Sequence, residues 1–227
     1  ALCDGADECR KEARKRIREG VDLIKIGTTG GVLSEKDHPD QSQLTDDEIA
    51  AATQEAHRVD SPVAAHAQGA EGIKNAIRAG VRTVEHGTLA DDEALEMMVD
   101  NGIFLTSTLS SNFWMLYGRE HNGLPQFMAE KANEVAKLRR KNLHRAVERG
   151  VKIVLGTDAG TPYNYHGKNA MELIQYVELG LMDEMAAITA ATKTAADAIG
   201  LPGDPEAVFV VEVGALPVSL LESFLAA

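Results

Sequence analysis

The chain has 227 residues, and its 35 acidic and 23 basic side chains give a formal net charge of −12. This length fits one domain, or one domain with a small appendage. The acidic balance argues against a general nucleic-acid binder, because no basic stripe exists to neutralise phosphates. No apolar run approaches the roughly 20 residues that a membrane-spanning helix needs, so a spanning protein is excluded. We expect a small-molecule substrate rather than nucleic acid or a membrane as the partner.

Two cysteines, Cys3 and Cys9, lie close together near the N-terminus on a predicted helix. They cannot supply a disulfide framework, and no zinc-knuckle spacing surrounds them. We therefore expect two ordinary thiols in a reducing compartment, which predicts a cytoplasmic protein. No secretory signal pattern is visible, and the chain begins with Ala1 almost inside its first element, as a fragment or a truncated protein does.

Short β-rich runs alternate with longer helical patterns from one end of the chain to the other. Glycines follow many of the predicted helices, as is typical of helix C-termini, and hairpin signals are almost absent, so the strands should form a parallel sheet. The predicted strands cover residues 21–26, 62–66, 81–85, 103–108 and 151–155. Predicted helices cover residues 6–19, 45–58, 70–79, 91–100, a segment that ends near 149, 169–178 and 183–199.

Two predicted segments are longer than ordinary connections. Residues 27–44 are polar and contain several glycines, which favours a functional loop. Thr45 and Glu48 then match a capping box at the start of the next helix. A long insertion follows the fourth strand and extends through Pro125.

Two architectures suit this order of elements: a doubly wound parallel sheet and a (β/α)₈ barrel. Functional residues collect at the C-terminal ends of the strands in both. The glycine-rich stretch at residues 27–31 lacks the lysine and hydroxyl of a phosphate loop, and no G-x-G-x-x-G follows a strand. Nucleotide binding is therefore only weakly supported.

Four polar side chains stand on or just after four predicted strands: Lys25, His66, His86 and Asp158. Each has an ordinary explanation by itself, since a strand lysine can reach solvent, a histidine can pack or cap, and an aspartate can cap the next helix. All four at corresponding positions favour a functional site. Outside these strand ends, His38, His57, His121 and His144 are expected in surface or packing roles, and His166 is left open between the two readings.

Imidazole and carboxylate groups bind zinc and similar divalent ions, so the strand-end residues suggest a metal site. A lysine ammonium has no lone pair for a metal. In an apolar strand, however, the pKa of Lys25 should fall, and the neutral amine can add carbon dioxide to become a carbamate that behaves as a bidentate carboxylate.

Several motifs together resemble the amidohydrolase superfamily, and most closely its imidazolonepropionase-like branch with metal-dependent Xaa-Pro dipeptidases and carboxypeptidases. The resemblance covers roughly residues 5–200 and keeps both the order and the strand context of the motifs. It rests on Lys25 with residues 29–32, and on residues 65–67, 85–87 and 156–160.

The resemblance implies a partial (β/α)₈ barrel, limited to the last five strands, over residues 1–200. Residues 201–227 would form an atypical tail, related to the small β-sandwich of the family. The implied function is a metal-dependent amidohydrolase that cleaves a C–N bond of a dipeptide or acyl-amino acid with a metal-activated hydroxide. The expected cofactor is a divalent metal, one or two ions of zinc.

The resemblance also implies roles for single residues. Lys25 would be the carbamylated bridge between two metals, and His66 and His86 would bind the second metal. Asp158 would bind the first metal and act as the catalytic proton shuttle. Substrate selectivity would come from the loops at residues 27–44 and 161–167.

One departure from the family keeps other functions open. The His-x-His that supplies two ligands of the first metal in the family is absent from the sequence. The alternative is a truncated, non-catalytic homologue that acts as a binding or assembly module. A third possibility is a sugar-phosphate barrel in which Lys25 forms a Schiff base. The apolar end at residues 216–227 is liable to associate, so we also expect a homo-oligomer.

Overall fold

Five parallel strands, joined in sequence by helices, form a single sheet in the order β1-β2-β3-β4-β5. The computed structural model describes residues 2–123 and 125–201, except for the side chains of residues 119–122. The predicted tail therefore lies outside the described residues from residue 202 onward, and the division into residues 1–200 and 201–227 stays a prediction. The strands are β1 (Ile24–Gly27), β2 (Val63–Gly69), β3 (Thr83–Leu89), β4 (Phe104–Thr106) and β5 (Lys152–Val154).

The helices follow the predicted segments closely, with two differences described below. They are α1 (Ala6–Arg18), α2 (Asp46–His57), α3 (Ala70–Arg78), α4 (Asp92–Asp100), α5 (Leu109–Asn122), α6 (Gln126–Glu148), α7 (Met171–Glu178), α8 (Glu184–Ala191) and α9 (Lys193–Ile199). The capping box at the start of α2 is confirmed, because Thr45 and Glu48 exchange both hydrogen bonds. Gly80 and Gly150 end their helices with φ of 84° and 82°, a conformation that favours glycine.

Two predictions about the helices were incomplete. The insertion after the fourth strand contains the helix α5, which begins at Leu109 after the short connection that follows β4. The predicted helix over residues 183–199 is divided into α8 and α9 at Thr192, whose φ and ψ are −118° and −87°. The Thr192 hydroxyl donates to the carbonyl of Ile188, four residues back. Such bonds compete with regular helix geometry and favour a bend.

The prediction of two free thiols was wrong, because Cys3 and Cys9 form a disulfide. Cys9 is buried in the first turns of α1. Gly5, which precedes the helix, has a φ of 82°, and the chain turns there so that the two Cα atoms lie 5.0 Å apart. The expected cytoplasmic location rested partly on free thiols, and it stays a prediction without that support.

The two faces of the sheet have different surroundings. Alternate strand residues such as Val63, Val84 and Leu105 enter the main hydrophobic core, where they pack against the helices. Residues of the opposite face, including Ala64, Thr83 and Thr106, line a cavity of about 760 Å³ that α9 closes on one side. Within the described ranges, no helix combines the length and apolar character needed to cross a membrane.

Candidate active site

The strand register aligns the predicted site residues along one edge of the sheet. Gly27 at the end of β1 pairs with His66 in β2, and His66 pairs with Glu85 in β3. Lys25 stands two residues before Gly27 and pairs with Ala64, so it shares a sheet face with His66. The strands are parallel, so their C-terminal ends meet at this edge.

His86 reaches the same place through an unusual backbone. Its register partner is Ala67, so a regular strand would direct its ring toward the opposite face from His66. His86 instead has a φ of 76°, and the register between β2 and β3 shifts after Ala67. As a result, His66 Nδ1 and His86 Nε2 lie 2.9 Å apart, and the two ring centroids are 4.6 Å apart. The predicted pair of strand-end histidines is thus brought together.

The outer nitrogen of each ring has its own partner. His66 Nε2 lies 3.2 Å from the carbonyl oxygen of Gly30, in the loop that follows β1. His86 Nδ1 lies 2.7 Å from Thr108 Oγ1, in the connection between β4 and α5. Each imidazole is therefore held at its outer edge, and its inner nitrogen faces the other ring.

Both imidazoles are half-buried, and their surroundings disfavour the charged form. Burial lowers the pKa of His66, and the positive charge of Lys25 acts in the same direction, whereas Asp158 opposes the shift. The pKa of His86 lies well below its usual range, first because of burial and then because of His66, Arg139 and Lys25. Both shifts favour the uncharged ring, which has a ring nitrogen with a lone pair for a ligand.

Lys25 differs from the sequence-based prediction in one respect. Its side chain is exposed, not buried in an apolar strand. The apolar burial on which the carbamate and the Schiff-base alternative were both based is therefore not seen in this structure. The charge of Lys25 still acts on both histidines, which places it beside the pair.

Asp158 lies four residues beyond the end of β5, on a turn that is fixed by hydrogen bonds. Its φ is 54°, and its carbonyl accepts from Thr161 Oγ1 at 2.9 Å and from Asn164 Nδ2 at 3.0 Å. Asn164 is buried, whereas the Asp158 side chain is exposed. The charge of the Asp158 carboxylate reaches both His66 and Arg139. A buried amide thus fixes the turn that carries this exposed carboxylate.

A buried polar network, which sequence reasoning missed, lies behind His86. Arg139 of α6 donates from Nε to Thr88 Oγ1 at 3.1 Å and from Nη1 to the Thr108 carbonyl at 3.2 Å. Glu172 of α7 accepts from the amides of Leu109 and Ser110 at 2.8 and 2.7 Å. Thr108 is two residues past β4, a strand-end signal like those of His66 and Asp158. Nothing in the helical pattern distinguished Arg139 or Glu172 from surface residues.

The loop over residues 27–44 is fixed to the rest of the molecule. The Gly31 amide donates to Asp37 Oδ1 at 3.3 Å, and Lys131 of α6 donates to the carbonyls of Ser34 and Asp37. This anchoring places the Gly30 carbonyl against His66. The role of this loop in substrate selectivity stays a prediction.

The histidines assigned to ordinary roles have ordinary surroundings where the structure describes them. His38 lies 2.8 Å from Asp40, and His57 Nε2 lies 3.1 Å from the Gly80 carbonyl. His144 is half-buried on α6 and His166 is exposed. The His121 side chain lies outside the described residues.

The imidazole pair fits two positions of a metal coordination shell. Metal-binding histidines commonly hold their outer nitrogen on a carbonyl, a carboxylate or another oxygen, as Gly30 and Thr108 do here. In the part of the chain that the structure describes, no three His, Cys, Asp or Glu side chains are grouped to hold an ion. A complete shell would need at least one further donor, and the role of Lys25 as that donor stays a prediction.

Comparisons with known proteins agree with the motifs. A family model described as the amidohydrolase family matches residues 1–206. Ochratoxinase of Aspergillus niger is 35% identical over 199 residues, which are 88% of this chain and 40% of that protein. Its crystal structure has a TM-score of 0.77 to this chain, at 36% identity, covering 88% of this chain and 44% of that one.

Two solved peptidase structures are similar as well. An Xaa-Pro dipeptidase with methionine bound in its active site has a TM-score of 0.80 and 37% identity, covering 87% of this chain and 48% of that one. A prolidase complexed with N-methylphosphonate-L-proline has a TM-score of 0.79 and 30% identity, covering 88% and 48%. The chain thus spans less than half the length of these relatives. The expected fold class, a partial (β/α)₈ barrel with five strands, is confirmed.

Proposed function

Since the chain belongs to the amidohydrolase family, we propose that it hydrolyses the amide bond of a small substrate such as a dipeptide or an acyl-amino acid. The relatives named ochratoxinase, Xaa-Pro dipeptidase and prolidase support this choice of bond. The observation that carries the proposal is the pair of imidazoles, His66 and His86, with inner nitrogens 2.9 Å apart at the C-terminal edge of the sheet.

The proposed cofactor is a divalent metal, with zinc as the expected ion. His66 Nδ1 and His86 Nε2 would hold it, together with Lys25 as a carbamate, and Asp158 would hold a first ion. Carbon dioxide adds only to the neutral amine, and the exposed side chain of Lys25 is open to it from solvent. The chemistry that such an ion supplies is Lewis acidity toward a carbonyl oxygen and toward a water molecule.

The protein's own groups account for the movement of the proton. The exposed carboxylate of Asp158 accepts a proton as the water oxygen attacks the amide carbon. The C–N bond then breaks, and the same carboxylate donates the proton to the leaving nitrogen, so that an acid and an amine are the products. Hydrogen bonds from Thr161 and Asn164 to its backbone carbonyl fix the turn from which the carboxylate extends.

The test combines zinc content with hydrolysis of a panel of Xaa-Pro dipeptides and N-acyl amino acids by the full chain. We expect H66N and H86N to lose bound zinc together with activity. D158N should keep zinc at the imidazole pair and lose about 10²- to 10⁴-fold in kcat, the range attributed to general acid–base catalysis.

The matched control is H57Q, because His57 is exposed and bonds only the Gly80 carbonyl among the contacts seen. H57Q should keep both zinc and activity. A folded chain that binds no zinc and hydrolyses none of the panel would contradict the proposal and favour the non-catalytic binding or assembly module.

A further inference from the structure

We propose that Thr108 is a positioning residue that holds His86 in either tautomer and reverses its own hydrogen bond when a cation enters between His66 and His86. The reversal rests on the proposed function, because it needs a metal at the imidazole pair. The hydrogen-bond pattern that carries the proposal is asymmetric. His66 is held by the carbonyl of Gly30, and His86 is held by the hydroxyl of Thr108.

Without a cation, the direction of every hydrogen bond follows from the Gly30 carbonyl. A carbonyl only accepts, so His66 Nε2 carries the proton and His66 Nδ1 has a lone pair. The contact of 2.9 Å between the rings then requires a proton on His86 Nε2. His86 Nδ1 is left with a lone pair, so the Thr108 hydroxyl donates to it across 2.7 Å.

A cation between the rings requires the opposite arrangement at His86. Both inner nitrogens must offer lone pairs, and His66 Nδ1 already does so. His86 releases the proton from Nε2 to water and takes one at Nδ1, so the ring stays neutral. Nδ1 then donates to Thr108 Oγ1, which changes from donor to acceptor. A hydroxyl serves in both directions, whereas a carbonyl such as that of Gly30 serves in one.

The position of the Thr108 hydroxyl is fixed by groups that do not touch His86. Thr108 has φ and ψ of 51° and 42°, a left-handed conformation that is unfavourable for a β-branched residue. Arg139 holds its carbonyl, and Glu172 holds the next two amides. Thr108 itself is 3% exposed. Strained backbone that the surroundings impose in this way is typical of positions with a functional requirement.

The test follows the ring nitrogens of His86 by ¹⁵N NMR in the full chain, before and after addition of Zn²⁺. We expect the Nε2–H tautomer without metal and the Nδ1–H tautomer with Zn²⁺. T108A and T108V remove the hydroxyl, and T108S keeps it. Both removals should keep the Nε2–H tautomer of the metal-free chain, because the Gly30 carbonyl dictates it through His66. They should weaken Zn²⁺ binding by about 10- to 100-fold, as losses of such outer partners do. T108S should resemble the unsubstituted chain in both measurements.

Three results would overturn the proposal, and they differ in their consequence for the proposed function. An Nδ1–H tautomer in the metal-free chain contradicts the inferred direction of the hydrogen bonds. Tight Zn²⁺ binding by both T108A and T108V shows that the hydroxyl is not needed, and it leaves the proposed function intact. An unsubstituted chain that binds no Zn²⁺ removes the reversal together with the metal part of the proposed function.

Discussion

Two carboxylates, Glu55 and Glu172, are largely shielded from water. Arginine side chains surround Glu55, whereas backbone amides surround Glu172. Glu55 on α2 accepts from Arg14 Nε and Nη2, both at 2.9 Å, and from Arg10 at 3.1 Å. These arginines lower the pKa of Glu55 to about 2. Glu172 on α7 accepts from backbone amides and from the Ser107 hydroxyl at 2.9 Å. Burial raises the pKa of Glu172 above its ordinary value.

This difference in partners and in pKa shows what each carboxylate contributes to the folded structure. Arginines on α1 compensate the charge of Glu55 on α2, so this carboxylate joins the two helices at the periphery of the molecule. Glu172 is 0% exposed and carries a desolvation cost, while it fixes the backbone beside Thr108. The peripheral carboxylate thus stabilises packing, and the interior one shapes the connection that holds His86.

The largest expected effect is at the interior carboxylate. E172A leaves two buried backbone amides and the Ser107 hydroxyl without their acceptor, so the free energy of unfolding should fall by about 3 to 5 kcal/mol. Urea denaturation followed by circular dichroism measures the change. E172Q keeps an acceptor oxygen and is the matched control, with a smaller loss expected. Equal losses for the two variants would mean that the hydrogen bonds at Glu172 do not decide its contribution.

The pH dependence of stability should have opposite signs at the two carboxylates. The pKa of Glu55 is about 2 in the folded chain against 4.5 ordinarily. Its contribution is therefore complete above pH 4.5 and is lost as the pH falls toward 2. The pKa of Glu172 is raised, so the folded state binds a proton more readily than the unfolded state, and acidification favours folding at this site.

Denaturation of the unsubstituted chain, E55Q and E172Q between neutral and acidic pH tests these signs. The stability advantage of the unsubstituted chain over E55Q should shrink as the pH falls. Relative to E172Q, the unsubstituted chain should gain stability over the same range. If the stability difference from the unsubstituted chain changed with pH in the same direction for both variants, the predicted opposite signs at the two carboxylates would be wrong.

The smallest expected effect concerns the start of the helix that carries Glu55. T45A removes the side-chain oxygen that accepts from the Glu48 amide, and the expected loss is about 1 kcal/mol in the free energy of unfolding. T45S keeps a hydroxyl and should lose much less. If T45A were as damaging as E172A, the α1–α2 region would depend on its helix ends rather than on the arginines around Glu55.

Local signals predicted most of the fold. The alternation of strands and helices gave the five parallel strands, and glycines such as Gly80 and Gly150 lie at helix ends with positive φ. The errors lie where a local signal has more than one outcome. The spacing of Cys3 and Cys9 permits either free thiols or a disulfide, and the turn at Gly5 decides between them.

The candidate site could be predicted only in part. Predicted strand ends identified His66 and His86, although β2 and β3 both continue three residues beyond these histidines. Both residues still lie toward the edge where the parallel strands end. The contact between their rings needed the left-handed backbone of His86 and the register shift after Ala67, which no residue pattern announces. The predicted burial of Lys25 was wrong, because an apolar strand sequence does not show which neighbouring element covers each face of the strand.

The sequence by itself determined the succession of strands and helices along the chain, the helix starts and the chemical types near the strand ends, because these depend on residues close together along the chain. Tertiary structure alone decided which buried side chains support the residues of the candidate site. Arg139 and Glu172 come from α6 and α7, far along the chain from His86, and they meet behind Thr108. Contacts between distant segments depend on how helices pack on the sheet, and that packing has no local signature in the sequence.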